Sequence, residues 1–156
     1  MRGFTKKVIA IVWKDIVAEL RTKEIFSAMF IFALLVIVIF NFAFELKGID
    51  MVTIAPGVLW VAFIFAGVLG LNRTFIMEKD RGCMEGLMLC PVDRSAIYLG
   101  KMVGSVIFML AVEAVALPIF AVLFNVLIAP LRLLPVILLG TVGFAAVGTL
   151  LSAMAV

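Results

Sequence analysis

Long uncharged runs alternate with short charged segments along the chain. Apolar residues fill four stretches, 25–44, 52–72, 102–124 and 135–156, in which Glu113 is the one charged residue. About twenty helical residues, at 1.5 Å per residue, match the roughly 30 Å hydrocarbon core of a bilayer. The pattern therefore predicts four transmembrane helices, spans 1 to 4 in chain order.

Residues 4–22, ahead of span 1, form a predicted amphipathic helix. Its apolar positions recur every three or four residues, at Val8, Ile9, Val12, Trp13, Ile16, Val17 and Leu20. Lys14 and Asp15 fall on the other side. A basic helix with tryptophan at its apolar border is typical of the lipid interface. Simple anchoring and contact with a partner both remain open roles.

Small residues recur every four positions in the spans and predict close helix packing. They are Ala62, Ala66 and Gly70 in span 2, Gly100 and Gly104 at the start of span 3, and Thr141, Ala145, Thr149 and Ala153 in span 4.

The 73–101 segment, between spans 2 and 3, holds five of the thirteen basic residues and four of the ten acidic ones. We expect it to lie in water, with Asp93 capping the next helix. Apolar residues share one face of a short predicted helix that ends near Pro91: Met84, Leu87 and Met88. This face could dock into a groove on a partner or rest on the membrane surface.

Glu113 is the ionisable residue expected deep in the bilayer. Burying a charge there costs about 2.5 to 3.5 kcal/mol on insertion scales, so the carboxyl should be protonated, paired or facing a watery cavity. A translocation path or proton site is one interpretation, and a hydrogen bond between helices is the other.

Composition agrees with a membrane protein. Hydrophobic residues make up 66% of the chain and charged ones 15%, against roughly a quarter charged in soluble domains. The basic residues flank apolar runs, which explains the net charge of +3 without a nucleic-acid partner. With no histidine and only Cys83 and Cys90, neither a zinc site nor a disulfide framework is indicated. No Walker A pattern is present, so we expect no ATPase site and no enzyme activity in this chain.

Lysine and arginine are distributed unevenly between the predicted loops. Six lie before span 1 and five in the 73–101 segment, against Lys47 and Arg132 on the other side. The positive-inside rule therefore places the N-terminus and this segment in the cytoplasm. The first apolar run begins only at Ile25, so we expect no cleaved signal peptide. Because span 4 ends at Val156 without a charged flank, we expect a longer parent protein.

Several stretches resemble the cytochrome c maturation protein B family, the permease subunits of an ABC-type haem exporter complex. They are Trp13-Lys14-Asp15 with Glu19-Leu20-Arg21, Ile54-Ala-Pro-Gly-x-x-Trp60-Val-Ala, Arg73-x-Phe75, Gly82-x-x-Glu85-x-Leu87-Met88-Leu89-x-Pro91, Lys101, and Leu139-Gly140-Thr141-x-Gly143-Phe144. The resemblance covers nearly the whole chain.

This resemblance implies an all-α, ABC-2-like membrane domain with an N-terminal connecting helix and six spans, four of them within residues 1–156. It also implies that the 73–101 segment is the coupling helix that contacts the ATP-binding subunit. The residues expected at that interface are Glu78, Gly82, Glu85, Leu87, Met88, Leu89 and Pro91.

By the same resemblance, ATP is bound and hydrolysed on the partner, and haem is the transported ligand rather than a cofactor of this subunit. Expected partners are the ATP-binding subunit, other cytochrome c maturation membrane subunits, a second permease copy and membrane lipids, in the bacterial inner membrane. The resemblance assigns no role to Glu113, so its role is inferred from burial alone. Two alternatives stay open: a small proton-coupled carrier that uses Glu113, and a non-transporting scaffold.

Overall fold

The computed structural model describes residues 2–45, 51–80, 93–125 and 130–155, and these residues form five helices. They are α1 (Arg2–Thr22), α2 (Glu24–Glu45), α3 (Met51–Asp80), α4 (Arg94–Leu123) and α5 (Pro130–Ala155). Helices α2 to α5 are each long and apolar enough to cross a membrane. The predicted class, an all-α membrane protein with one additional N-terminal helix, is confirmed.

Two helices extend beyond the apolar runs into the 73–101 segment. Helix α3 continues past residue 72 to Asp80, and α4 begins at Arg94. No glycine or proline occurs between residues 73 and 80, so nothing in that stretch interrupts the helix. The short helix predicted to end near Pro91 lies outside the described residues.

The chain turns sharply between α1 and α2 at Lys23. This residue has φ 55°, in the left-handed region, and its N–H donates to the carbonyl oxygen of Glu19 at 2.6 Å. Such a residue ends a helix by satisfying one of its last carbonyls. The turn lets α1 fold back against the bundle instead of continuing into α2.

Buried apolar residues form two clusters along the four-helix bundle. The first contains Ile37, Ala62, Phe63, Phe120 and Ile137 among others, and the second contains Met29, Ala33, Ala66, Met109 and Ala145 among others. Ala62 and Ala66, the small residues predicted to allow close approach in span 2, are buried at these contacts. Lipid-facing apolar residues remain exposed around the bundle.

The small-residue stripe of α5 departs from the prediction at its last position. Thr141, Ala145 and Thr149 are buried, but Ala153 is exposed and Ser152 is buried instead. With 3.6 residues per turn, twelve residues rotate a position by roughly 120° around the helix, whereas eleven rotate it by roughly 20°. A strict four-residue spacing therefore drifts away from the contact face.

Glycine permits the close approach of α3 to α5. The Trp60 ring of α3 lies directly against Gly140 of α5, where a Cβ would overlap its atoms. Gly67 of α3 is similarly close, because a Cβ there would come within 2.6 Å of Met109 and 2.7 Å of Phe144. These contacts set the separation of α3 from α5, and at Gly67 also from α4, at two levels of the bundle.

Candidate functional site

Helix α1 packs against the first turns of α4, where two glycines leave space for it. A Cβ on Gly100 would come within 2.8 Å of the Ile11 side chain, and one on Gly104 would lie 3.7 Å from the Asp15 carboxylate. The close packing predicted from the Gly100 and Gly104 spacing is confirmed, and α1 is the helix that approaches. This contact, the α1–α4 junction, adjoins the end of the 73–101 segment.

A buried ion pair joins the two helices at the junction. Lys101 Nζ lies 2.9 Å from Asp15 Oδ2, and the two side chains are 2% and 9% exposed. Lys14 Nζ lies 3.3 Å from the other carboxylate oxygen of Asp15. Burying an ammonium is costly unless a carboxylate and hydrogen bonds replace the lost water. Asp15 provides that carboxylate.

One expectation was wrong at this junction. Lys101 was predicted to lie in water as part of the 73–101 segment, but its side chain is buried between α1 and α4. Asp15 lies, as predicted, on the side of α1 opposite the exposed apolar residues, and that side faces α4. Hydropathy alone measures how polar a residue is and gives no information about its partner, so an ion pair formed by residues 86 positions apart escapes it.

Glu19 makes a further contact, which the sequence did not predict. Its carboxyl is buried, and Oε1 accepts a hydrogen bond at 2.7 Å from the backbone N–H of Phe26, in the first turn of α2. The first N–H groups of a helix have no partner within that helix, and negative charge is favoured beside them. Glu19 thus ties α1 to the start of α2. The sequence signal for this contact was an acidic residue four positions before Lys23, where the chain turns from α1 to α2.

The opposite face of α1 is apolar and exposed. Ile9, Trp13, Val17 and Leu20 point away from the bundle, with Trp13 67% exposed. An apolar face of this kind is suited to lipid. Placement of α1 at the lipid interface remains a prediction. The polar contacts of α1 with the bundle leave its apolar face available for lipid.

Glu113 and Thr141 form a second polar contact, between α4 and α5. Thr141 Oγ1 donates to Glu113 Oε1 at 2.7 Å, and both residues are buried. The other carboxyl oxygen, Oε2, has no hydrogen-bond partner among the described residues. The expected bond between helices is therefore present, while half of the carboxyl is left unsatisfied.

Most residues predicted to contact the ATP-binding subunit fall outside the described part of the chain. These are Gly82, Glu85, Leu87, Met88, Leu89 and Pro91, together with the side chain of Glu78 at the end of α3. Asp93 does precede the first residue of α4. Its side chain makes no capping hydrogen bond, and its carbonyl oxygen accepts from Ala96 at 2.9 Å.

Within the described ranges, no group of three histidine, cysteine, aspartate or glutamate side chains could hold a metal ion. The polar chemistry described so far consists of the α1–α4 junction, the Glu19 contact and the Glu113 and Thr141 pair. The fold and these contacts define a multi-pass α-helical membrane protein whose first helix is anchored to its third span.

Sequence similarity shows to which family of membrane proteins the chain belongs. The family described as CcmB protein matches residues 6–156, and the chain belongs to it. Heme exporter protein B of Rhodobacter capsulatus is 30% identical over 149 residues, which cover 94% of this chain and 68% of that protein.

The chain covers less of its other curated relatives. Heme exporter protein B of Escherichia coli is 32% identical over 97 residues, 59% of this chain and 44% of that protein. The Pseudomonas aeruginosa protein of the same name is 29% identical over 119 residues, 76% of this chain and 52% of that protein. The matched region thus spans about half of these two relatives and about two thirds of the Rhodobacter capsulatus protein. No solved structure matches the chain.

Proposed function

We propose that this chain is the membrane permease subunit, or part of it, of an ABC-type haem exporter that serves cytochrome c biogenesis. The observation that carries the proposal is the family match along residues 6–156, with relatives named Heme exporter protein B. The four candidate spans suit such a subunit. ATP is bound and hydrolysed on a partner subunit, and this chain relays the resulting motion.

The 73–101 segment is the proposed contact with that partner. Its ends continue α3 and begin α4, so a force applied to the segment acts directly on two spans. The α1–α4 junction lies within the first three turns of α4, where Lys101 holds Asp15. Motion of α4 would therefore move α1 as well. Under the positive-inside rule the segment and α1 both face the cytoplasm, where ATP is available.

Haem is the proposed cargo, delivered toward a chaperone on the far side of the inner membrane. These 156 residues contain no histidine, which is the commonest protein ligand of haem iron. Iron ligation during transfer is accordingly assigned to another component, such as a further maturation subunit or the chaperone. A second permease copy would complete the pathway across the bilayer.

Co-purification with the ATP-binding subunit tests the proposal. Replacing Leu87 and Met88 by aspartate places two charges on the predicted docking face, and we expect retention of the ATP-binding subunit to fall at least tenfold. Thr5→Asp, an exposed change in the first turns of α1, is the control and should retain it. Membrane insertion is checked for each variant.

Equal retention by the double variant and by wild type would show that the segment is not the docking site. Transport by vesicles that lack the ATP-binding subunit would instead support the proton-coupled carrier that uses Glu113.

A further inference from the structure

Glu113 sits in the interior of the bundle, and no charged side chain among the described residues lies beside it. Helices α2, α3 and α5 all pack against α4, and Glu113 is only 4% exposed among them. The charged side chains described on these four helices lie toward the helix ends: Glu24, Arg73, Arg94 and Lys101. Lys101 is twelve residues away on α4, about 18 Å along the axis, and already contacts Asp15.

An ionised carboxylate at this position would need several donors or a cation. Thr141 supplies one hydroxyl to Oε1, and nothing among the described residues donates to Oε2. A neutral carboxylic acid needs less, because its carbonyl oxygen uses the Thr141 donor and no net charge is buried. A single donor at Oε1 therefore suits the carbonyl oxygen of a neutral acid and is too few for an ionised carboxylate.

We propose that Glu113 is an intramembrane proton-binding site, a neutral carboxylic acid whose proton is on Oε2 and whose Oε1 accepts from Thr141. The inference does not depend on haem as cargo. It assigns a chemical state to a residue for which the family resemblance implies no role, and it holds whether or not the chain works with an ATP-binding subunit.

The α4–α5 seam, the contact between these two helices, is the expected route for the proton. Three buried polar atoms in the described residues lack a partner, and all lie on these helices: Ser105 Oγ, Glu113 Oε2 and Thr149 Oγ1. Ser105 and Leu71 line the same narrow gap between α2, α3 and α4, and the Leu71 side chain also packs on Gly148, beside Thr149. Ser105 and Thr149 therefore lie at a similar depth, each about two turns from the Glu113 and Thr141 pair.

Separation of α4 from α5 would give water access to the carboxyl. Glu113 would then release its proton to water, leaving the carboxylate and a hydronium ion, and the seam could close again only after a proton returned. One proton would thus leave on opening and bind on closing.

Infrared spectroscopy of the protein purified with its partners and reconstituted in lipid vesicles tests the proposal. At neutral pH, wild type should show the carbonyl stretch of a neutral carboxylic acid, and Glu113→Gln should lose it. The substituted amide has nearly the same shape as the carboxyl and can still accept from Thr141, and circular dichroism checks the helix content of the variant. Glu24→Gln, at an exposed carboxyl, should leave the band unchanged.

The Thr141→Val variant tests the hydrogen bond itself, because the position of the Glu113 carbonyl band depends on this bond and would not change if Thr141 only packed against Glu113. Loss of its hydroxyl should move the carbonyl band to higher wavenumber, because Oε1 loses its donor, while Thr149→Val should leave the band position unaltered. A difference spectrum between wild type and Glu113→Gln that shows only ionised carboxylate bands would overturn the proposal. A band unmoved by Thr141→Val would overturn the assignment of Oε1 as its carbonyl oxygen.

Discussion

At the scale of single residues, several short contacts determine how closely the helices pack. Trp60 and Gly140 come from two separate stretches that resemble the family, and they touch each other across α3 and α5. A motif in span 2 and another in span 4 thus form one packing contact. Gly143, three residues further along α5, has no heavy atom near its Cβ position.

Substitution of these two glycines by alanine should have opposite effects. We expect Gly140→Ala to destabilise the protein by about 1 to 3 kcal/mol, because the new methyl group must displace the Trp60 ring that packs on it. Gly143→Ala should be neutral or stabilise by up to about 1 kcal/mol, since alanine is the better helix former. Thermal unfolding in detergent measures both.

The reason for the Gly140 effect can be checked with a second change. Trp60→Phe removes part of the large ring, so adding it to Gly140→Ala should recover some of the lost stability. An equal loss of stability in Gly140→Ala and Gly143→Ala would contradict the proposed role of the tryptophan contact.

At the scale of helices, α1 reverses the arrangement of a soluble amphipathic helix. Asp15 and Glu19 face the bundle, while Trp13 and Leu20 face outward. The predicted placement of α1 at the lipid interface would explain this arrangement, because apolar side chains lose nothing by facing lipid. The polar residues are then free to hold α1 against α4 and against the start of α2.

Removing the Asp15 carboxylate should weaken the junction strongly. Asp15→Ala takes from the buried Lys101 ammonium its carboxylate at 2.9 Å, and loss of one member of a buried pair costs roughly 3 to 5 kcal/mol. The measurement is detergent unfolding, with protease sensitivity of α1 as a local readout. Lys14→Met is the control; its side chain is 45% exposed, and the expected loss is under about 1 kcal/mol.

The pairing itself is tested by combining variants. Lys101→Met in the Asp15→Ala background removes both charges, and it should restore much of the stability because no charge remains buried at that contact. Strictly additive losses in the double variant would show that the two side chains do not stabilise one another.

At the scale of the whole molecule, hydropathy predicted most of the architecture. The runs around Ile37, Ala62 and Ala145 predicted spans that the structure contains, because membrane helices are defined by length and apolarity. Lys101 and Asp15 show where this approach fails. Hydropathy does not identify the partner of a charged residue. It also places the end of a helix at the first charged residue, whereas α3 continues to Asp80.

The candidate functional residues also differ in how much of their role could be predicted from sequence. Glu113 was found from its burial alone, and its bond to Thr141 required the relative placement of two helices. The docking face at Leu87 and Met88 remains a prediction from sequence. Charge and apolar spacing indicate that this face exists, but the identity of its partner comes from the family.

The most direct test is site-specific photocrosslinking in membranes that contain the whole complex. A photoreactive residue at Met88 should form a covalent adduct with the ATP-binding subunit. The same residue at Leu139, which is 75% exposed on α5 within the span, should label lipid or other membrane subunits instead. An adduct with the ATP-binding subunit from position 88 alone is the predicted result. Absence of that adduct, or equal labelling of the ATP-binding subunit from both positions, would contradict docking on the 73–101 segment.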